Sequence, residues 1–199
     1  MANLLVYVPT SQPRNPKTET PLAPRSGALD GKRIGLLWNS KVNADVYLRR
    51  IRERLEHDFT DLTFEWHAKP TAMKPIPNDT LKQISRCDVI VNAFGDCGSC
   101  SSWTVHDGET FERLGIPSVS VISVPFGFKT RVEVKTHGMP SLPIQILPHP
   151  IGQLPDEDMR EITDAAYAEV VFCLTAAADE VAAAYSEAVS PRSGYSNEG

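Results

Sequence analysis

The chain has 199 residues, 41% of them hydrophobic, and its 20 basic against 25 acidic side chains give a formal net charge of −5. This length suits one globular domain, which buries about two thirds of its unfolded-chain surface and needs no disulfide staples. The mild acidity argues against a nucleic-acid partner, because such proteins usually carry a basic stripe, and no apolar run approaches the roughly 20 residues of a membrane span.

The first thirty residues are predicted to form an extended arm. Five prolines suppress helix and central strand in this segment: Pro9, Pro13, Pro16, Pro21 and Pro24. The arm would lie on the body of the protein or on a second subunit of a homo-oligomer, or else be disordered, and the run 4–8 within it could form a short strand. Because the start lacks the basic and apolar regions of a signal peptide, we expect a cytoplasmic protein.

Five apolar runs predict strands, at residues 33–38, 62–67, 88–93, 118–123 and 144–147. Helix signals lie between them: Asn43 and Asn78 as caps, Gly115 and Pro117 as a stop, and Pro155 as the start of the last helix. The segment 125–140, with its prolines and glycines, is predicted to be a loop, and the polar end at 186–199 a disordered tail.

Strands that alternate with helices predict an α/β protein with a mainly parallel sheet of about five strands, in a flavodoxin-like or Rossmann-like three-layer fold. Residues 31–185 would form this single domain. The simplest strand order is 2-1-3-4-5, which places ligands beyond the carboxyl ends of strands 1 and 3. Those ends are residues 39–41 and 95–97.

A C-x-x-C motif follows the third predicted strand. Its spacing puts Cys97 and Cys100 within reach of each other, and a helix starting there would favour a thiolate, although Asp96 would oppose one. The helix start is ambiguous because Gly108 interrupts the pattern. We expect redox or nucleophilic thiol chemistry; a metal site completed by a distant donor such as His106 and inert thiols are the alternatives.

The other two cysteines have apolar surroundings in the sequence. Cys87 enters a predicted buried strand, and Cys173 lies on the apolar face of the last helix. We therefore predict that both are small core residues rather than reactive thiols.

Two histidines are candidates to assist the thiols. His149 lies between two prolines after the fifth predicted strand, so it can share the sheet edge of Cys97 and act as base or acid. His106 follows Cys100 by six residues and could reach back toward it. The remaining histidines are expected to be structural or solvated.

Polar residues near the same edge are candidates to bind substrate. They are Asn39, Lys41, Asn43, Asp96, Ser99 and Ser101, with Lys129 and Arg131 on the predicted loop at 125–140. That loop is interpreted as a lid closing on an anionic substrate, or as a solvated hairpin. The chain has no G-x-G-x-x-G, P-loop or G-x-S-x-G motif, so nucleotide binding and serine hydrolysis lack support.

The motif Cys97-Gly98-Ser99-Cys100 resembles that of the UGSC family, whose selenoprotein members have selenocysteine at the first position. The resemblance extends over about residues 33–175 and includes the segment ERLGIPSV at 112–119 and PHPIG at 148–152. It implies a thiol- or selenol-dependent enzyme, often described as an oxidoreductase. It also implies that Cys97 is the attacking atom and Cys100 the resolving thiol.

Together these observations predict an enzyme that acts on a small, anionic electrophile through Cys97. In a redox cycle Cys100 would resolve the adduct and an external thiol reductant would restore the pair. In a non-redox cycle the adduct would collapse by hydrolysis, elimination or isomerisation, with His149 transferring protons. A metal-dependent enzyme using Cys97, Cys100 and His106, and a non-catalytic subunit of a larger complex, are the alternatives from other classes.

Overall fold

The structure, a computed structural model, describes residues 19–185. A single parallel sheet has the strand order β2-β1-β3-β4-β5. Its strands are β1 (Arg33–Trp38), β2 (Thr63–Ala68), β3 (Val89–Gly95), β4 (Ser118–Ser123) and β5 (Ile144–Leu147). The predicted fold class and strand order are confirmed.

Helices cover both faces of the sheet. They are α1 (Ala44–Asp58), α2 (Asn78–Ile84), α3 (Gly98–Arg113), α4 (Val124–Thr136), α5 (Asp156–Thr175) and α6 (Ala178–Tyr185). Helices α1 and α5 pack together on one face, while α3 and α4 pack together on the other. This arrangement gives three layers and buries β3, β4 and β5 completely, as expected for a parallel sheet covered on both faces.

The segment predicted as a loop at 125–140 is mostly helical, and that prediction is wrong. Pro125 lies in the first turn of α4, where a missing N–H costs no hydrogen bond. Gly127, Thr130 and Val134 are buried on one side of the helix. The proline and the glycine that suggested a loop therefore lie at the start of a helix and on its buried side.

The last predicted helix is in fact two. Ala176 has an extended backbone, with φ −63° and ψ 153°, and separates α5 from α6. The apolar spacing continues across this break because both helices pack against the same core, in which Val170, Cys173 and Val181 are buried.

The described part of the arm, residues 19–30, has neither helix nor strand and packs on the body of its own chain. Leu22 and Leu29 join the core. The Arg25 guanidinium donates to Glu112 at 2.8 Å, with both side chains fully buried, and the Ala23 amide donates to the same carboxylate at 2.8 Å. The predicted strand at 4–8, the rest of the arm and the tail at 186–199 lie outside the described residues, and contact with a second subunit stays a prediction.

No described helix is both long and apolar enough to cross a membrane.

Candidate active site

The parallel strands deliver polar residues to one edge of the sheet. Directly after β1, β3 and β5 come Asn39, Asp96 and the Pro148–Pro150 segment with His149, and Ser123 ends β4. Because β3, β4 and β5 are neighbours in the sheet, the residues that follow them meet at the carboxyl edge. Helix α3 starts at the same edge, directly after Cys97.

Cys97 caps helix α3. Its backbone is extended, with φ −158° and ψ 168°, and its Sγ accepts a hydrogen bond from the Cys100 amide at 3.4 Å. The Cys97 carbonyl accepts from the Ser101 hydroxyl at 2.6 Å. Sulfur thus replaces the oxygen of an ordinary N-cap side chain, at the helix end where unpaired N–H groups favour negative charge. The ambiguity about the helix start is resolved in favour of Cys97.

The two sulfurs of the motif are joined as a disulfide, with Cα atoms 5.5 Å apart. This confirms that Cys97 and Cys100 lie within reach of each other. Cys97 is partly exposed, whereas Cys100 is fully buried. Access from solvent therefore differs between the two sulfurs and favours Cys97 as the one that meets an external reactant.

The two glycines that flank Cys97 have different surroundings. A Cβ added to Gly95 would lie 2.5 Å from Ser101 Cα and 2.6 Å from Ile122 Cδ1. Gly95 therefore permits the first turn of α3 to pack against the end of β3. A Cβ added to Gly98 would have no atom within 4 Å. The side of the helix start at Gly98 is thus open.

His149 is hydrogen-bonded to Asp96, the residue that precedes Cys97. Its Nδ1 lies 2.8 Å from Asp96 Oδ1 and 3.1 Å from Ser123 Oγ. The other Asp96 oxygen accepts from the Gly152 amide at 3.2 Å. A proton on Nδ1 satisfies the carboxylate, so this pairing favours the tautomer whose Nε2 lone pair is available. Among the described residues, that Nε2 has no hydrogen-bond partner.

The carboxylate of Asp96 thus has a role that the sequence did not indicate. Asp96 was predicted to oppose the thiolate or to bind substrate, whereas its two oxygens are occupied by His149 and Gly152. The sequence interpretation also missed Ser123 and Gly152. Ser123 could have been found by applying the carboxyl-end rule to the fourth predicted strand. Gly152 had no comparable signal.

The predicted substrate-binding residues after β1 hold the loops in place. Asn39 is buried, and its amide donates to the Phe94 carbonyl at 2.7 Å, which ties the end of β1 to the end of β3. Asn43 donates to the Ile151 and Leu154 carbonyls, both at 2.8 Å. These amide groups position the walls of the site. Lys41 is partly exposed on the same loop.

Three other predicted binding residues lie near the helix start. Ser99 is exposed, with its hydroxyl 3.9 Å from Cys97 Sγ, whereas Ser101 is buried against the Cys97 carbonyl. The Lys129 ammonium contacts Ser102 in the first turn of α3 and lies 2.6 Å from Glu133. The Lys129 ammonium near the start of α3 is therefore paired with the Glu133 carboxylate, which also accepts from the Ser102 hydroxyl at 2.9 Å.

Arg131 contacts a different part of the molecule. Its guanidinium donates to the Pro140 and Leu142 carbonyls at 2.8 and 3.2 Å and lies over the Tyr185 ring. Burial lowers the pKa of Arg131 to about 10. These contacts hold Arg131 against Pro140 and Tyr185, and α4 is a helix. They do not support the interpretation of 125–140 as a lid that carries this arginine to a substrate.

His106 also lies apart from the thiols. It is nine residues beyond Cys97 on α3, which is about 13 Å along the helix axis. Its ring stacks on Trp103 at 5.4 Å, and His137, from the segment after α4, lies 5.8 Å away. The structure does not bring Cys97, Cys100 and His106 together, so this metal-ligand set loses its geometric basis.

The predicted core positions of the other cysteines are confirmed. Cys87 is 5% exposed and Cys173 is fully buried. Burial raises the pKa of both thiols, and for Cys87 the value reaches about 12.

Comparison with family models gives one match, to the UGSC family, over residues 5–176. Comparison with curated proteins and with solved structures gives no significant match. The matched span contains every strand of the described residues, Cys97 and Cys100, and the Asp96–His149 pair. The chain therefore belongs to the UGSC family.

Proposed function

We propose that the protein is a thiol-dependent enzyme in which Cys97 attacks a small, anionic electrophile. One observation carries the proposal: a partly exposed sulfur caps the N terminus of α3, and the residue before it is hydrogen-bonded to a histidine. Thiol, helix end and acid–base group are the components of an activated cysteine nucleophile. Membership of a family with this motif is compatible with such a role.

The first turn of α3 supports the nucleophile. The Cys100 amide donates to Cys97 Sγ, and the neighbouring N–H groups of the helix end stabilise negative charge on that sulfur. The open side at Gly98 gives a reactant access to the same position. Lys41 and Lys129 lie near this edge. Lys129 is paired with Glu133, so Lys41 is the cation that would attract an anionic substrate.

His149 is the proposed general acid and base. Asp96 and Ser123 hold its Nδ1, so Nε2 is the atom that exchanges protons with the thiol or the leaving group. Asp96 is a positioning residue, because its oxygens contact His149 and the Gly152 amide rather than the open side of the helix.

In the redox version, the Cys97 thiolate attacks a substrate X–Y. An S–X bond forms, the X–Y bond breaks, and Y leaves with a proton from His149. The Cys100 thiolate then attacks the Cys97 sulfur, so the S–S bond forms and the S–X bond breaks. X leaves with the electron pair and takes a proton. The substrate is reduced by two electrons, and an external dithiol regenerates the cysteines by exchange. The proximity of the two sulfurs supports this version.

A non-redox version has its own supporting observation. The Asp96–His149 pair has the arrangement of a histidine oriented by a carboxylate, which serves hydrolysis or elimination equally well. In that version water or an internal proton transfer releases the adduct from Cys97, and Cys100 remains reduced.

The test is to trap covalent intermediates and to detect them by intact-protein mass spectrometry. The reduced protein is incubated with small anionic electrophiles and quenched in acid, and its mass is then measured. We expect a covalent adduct in Cys100→Ser, a Cys97–Cys100 disulfide in the wild type after a redox turnover, and neither product in Cys97→Ser. Cys173→Ala, which alters a fully buried thiol, is the matched control: added to the wild type it should leave the disulfide product unchanged, and added to Cys100→Ser it should leave the adduct unchanged. A Cys97 that forms no adduct and reacts no faster than a free model thiol contradicts the proposal.

A further inference from the structure

A second group of chemically capable side chains lies away from the proposed active site, on the edge strand β2. Glu65 and His67 are two residues apart, so both side chains project from the same face of the strand. Cys87, between α2 and β3, faces them. Because Cys87 precedes β3 and Cys97 follows it, the two thiols are separated by the length of that strand, about 20 Å.

Gly35 makes the approach of Cys87 feasible. It lies on β1 directly beside Glu65 in the parallel pairing. A Cβ at Gly35 would lie 3.1 Å from Cys87 Sγ and 2.9 Å from Ile84 Cγ1. The missing side chain leaves room for the Cys87 sulfur to lie against the sheet, between the apolar Ile84 and the Glu65 carboxylate.

The three side chains offer one oxygen, one nitrogen and one sulfur donor. His67 Nε2 lies 3.2 Å from Glu65 Oε2, and all three ligand atoms lie within 4.8 Å of one another. The His67 side chain is 10% exposed and Glu65 29%, while Cys87 is buried. Imidazole, thiolate and carboxylate are the ligands that Zn²⁺ takes at about 2.0 to 2.3 Å, in a tetrahedron whose donors are less than 4 Å apart.

We propose that Glu65, His67 and Cys87 form a binding site for Zn²⁺. On binding, the thiol gives its proton to solvent, neutral His67 and ionised Glu65 supply the other two ligands, and water takes the fourth position on the exposed side of β2. The site is independent of the proposed function. Its occupancy would tie the edge strand β2 to the segment before β3.

Arg33 is the group that opposes the metal. Its guanidinium lies 3.4 Å from Glu65 Oε1 and 45% of its side chain is exposed. A divalent cation would compete with this ion pair, and the exposed arginine can turn into solvent to make room. Removal of Arg33 therefore separates a metal site from a purely structural cluster, because only a metal site gains affinity when the competing charge is lost.

The experiment uses the full chain carrying Cys97→Ser and Cys100→Ser, so that the C-x-x-C motif cannot bind metal. Calorimetric titration with Zn²⁺ against a competing chelator measures affinity, and Co²⁺ substitution reports a thiolate–metal absorption band. We expect one equivalent of Zn²⁺ in this parent. We expect affinity to fall by at least about tenfold in both His67→Gln and Cys87→Ser, the cobalt–thiolate band to disappear in Cys87→Ser, and Arg33→Ala to bind more tightly.

His57→Gln is the matched control, because His57 is 83% exposed and pairs only with its neighbour Asp58 among the described residues. It should bind as the parent does. Circular dichroism checks that each variant is folded, and His67→Gln on the edge strand provides the decisive comparison if Cys87→Ser unfolds. A parent that takes up no stoichiometric Zn²⁺, or a folded His67→Gln variant with unchanged affinity, overturns the proposal.

Discussion

Cys97 and Cys173 both lie beside a hydroxyl group, but in contrasting surroundings. Cys97 is partly exposed, caps a helix N terminus and has a serine hydroxyl 3.9 Å from its sulfur. Cys173 is fully buried, with its sulfur 3.1 Å from Tyr185 Oη. The Tyr185 hydroxyl in turn donates to the buried Glu169 carboxylate at 2.6 Å.

These surroundings act on a thiol in opposite directions. Around Cys173, burial and then the negative charge of Glu169 raise the thiol pKa well above its ordinary value. Around Cys97, the Cys100 amide at the start of α3 donates to the sulfur, and N–H groups at a helix N terminus favour a thiolate once the disulfide is reduced. The same side chain is therefore inert in the core and, under the proposed function, reactive at the sheet edge. Position in the fold, and not residue type, accounts for the difference between Cys97 and Cys173.

The largest predicted effect is the difference in reactivity itself. In the reduced protein at neutral pH, iodoacetamide should modify Cys97 first and Cys173 at least about a thousandfold more slowly, because modification of a buried thiol must await an opening of the native structure. Peptide mapping of a time course by mass spectrometry measures both rates. In guanidinium chloride the two cysteines should react at similar rates. A native-state ratio near one would remove the contrast between the two regions.

The next effect concerns the acid–base pair. His149→Gln should lower the rate of Cys97 adduct formation by about a hundredfold, within the usual range for loss of a general acid or base. Asp96→Asn should lower it less, since under the proposed function the carboxylate orients His149 and does not itself transfer the proton. The pH–rate profile distinguishes these roles, because the limb due to the imidazole should vanish in His149→Gln and shift in Asp96→Asn. His106→Gln serves as control and should leave rate and profile unchanged; a loss equal to that of His149→Gln would contradict the assignment.

The smallest predicted effect compares the two glycines beside Cys97. Gly95→Ala should destabilise the protein by about 3 kcal/mol, at the upper end of overpacking costs, because its Cβ would meet the Ser101 backbone. Gly98→Ala should change the free energy of unfolding by less than about 0.5 kcal/mol, as for surface positions free of contacts. Urea unfolding followed by circular dichroism measures both. Equal losses of stability in the two variants would mean that the packing of α3 on β3 does not depend on Gly95.

Much of the fold was accessible from sequence because its signals are local. Each predicted strand is a short run that contains apolar residues, and helix signals lie between most of these runs, so their alternation predicted the parallel sheet and its order. The error at 125–140 has a local cause too. Pro125 and Gly127 are loop signals in isolation, but proline also fits a first helical turn, and only packing against α3 decides between the two.

The candidate site was accessible only in part. The C-x-x-C spacing predicted that Cys97 and Cys100 lie within reach of each other, and the carboxyl-end rule predicted that His149 shares their edge of the sheet; His149 is found hydrogen-bonded to Asp96, which precedes Cys97. The same rule placed Asn39 and Asn43 there as substrate-binding residues, whereas their side-chain amides donate hydrogen bonds to backbone carbonyls. Polar side chains at a predicted edge have the same sequence signature whether they face a ligand or a neighbouring loop, so the pattern alone could not separate the two roles.

The sequence by itself determined the class of fold, the proximity of Cys97 and Cys100, and the burial of Cys87 and Cys173, because periodicity and short spacing encode these features. The tertiary structure alone decided which distant groups meet. Asp96 and His149 are 53 residues apart in the chain. They form a hydrogen bond because β3, β4 and β5 are neighbours in the sheet. Arg131 contacts Pro140 and His106 stacks on Trp103, both away from the thiols. Cys87 faces Glu65 and His67 beside Gly35. Contacts of this kind depend on strand order and loop paths, and no local pattern of residues records them.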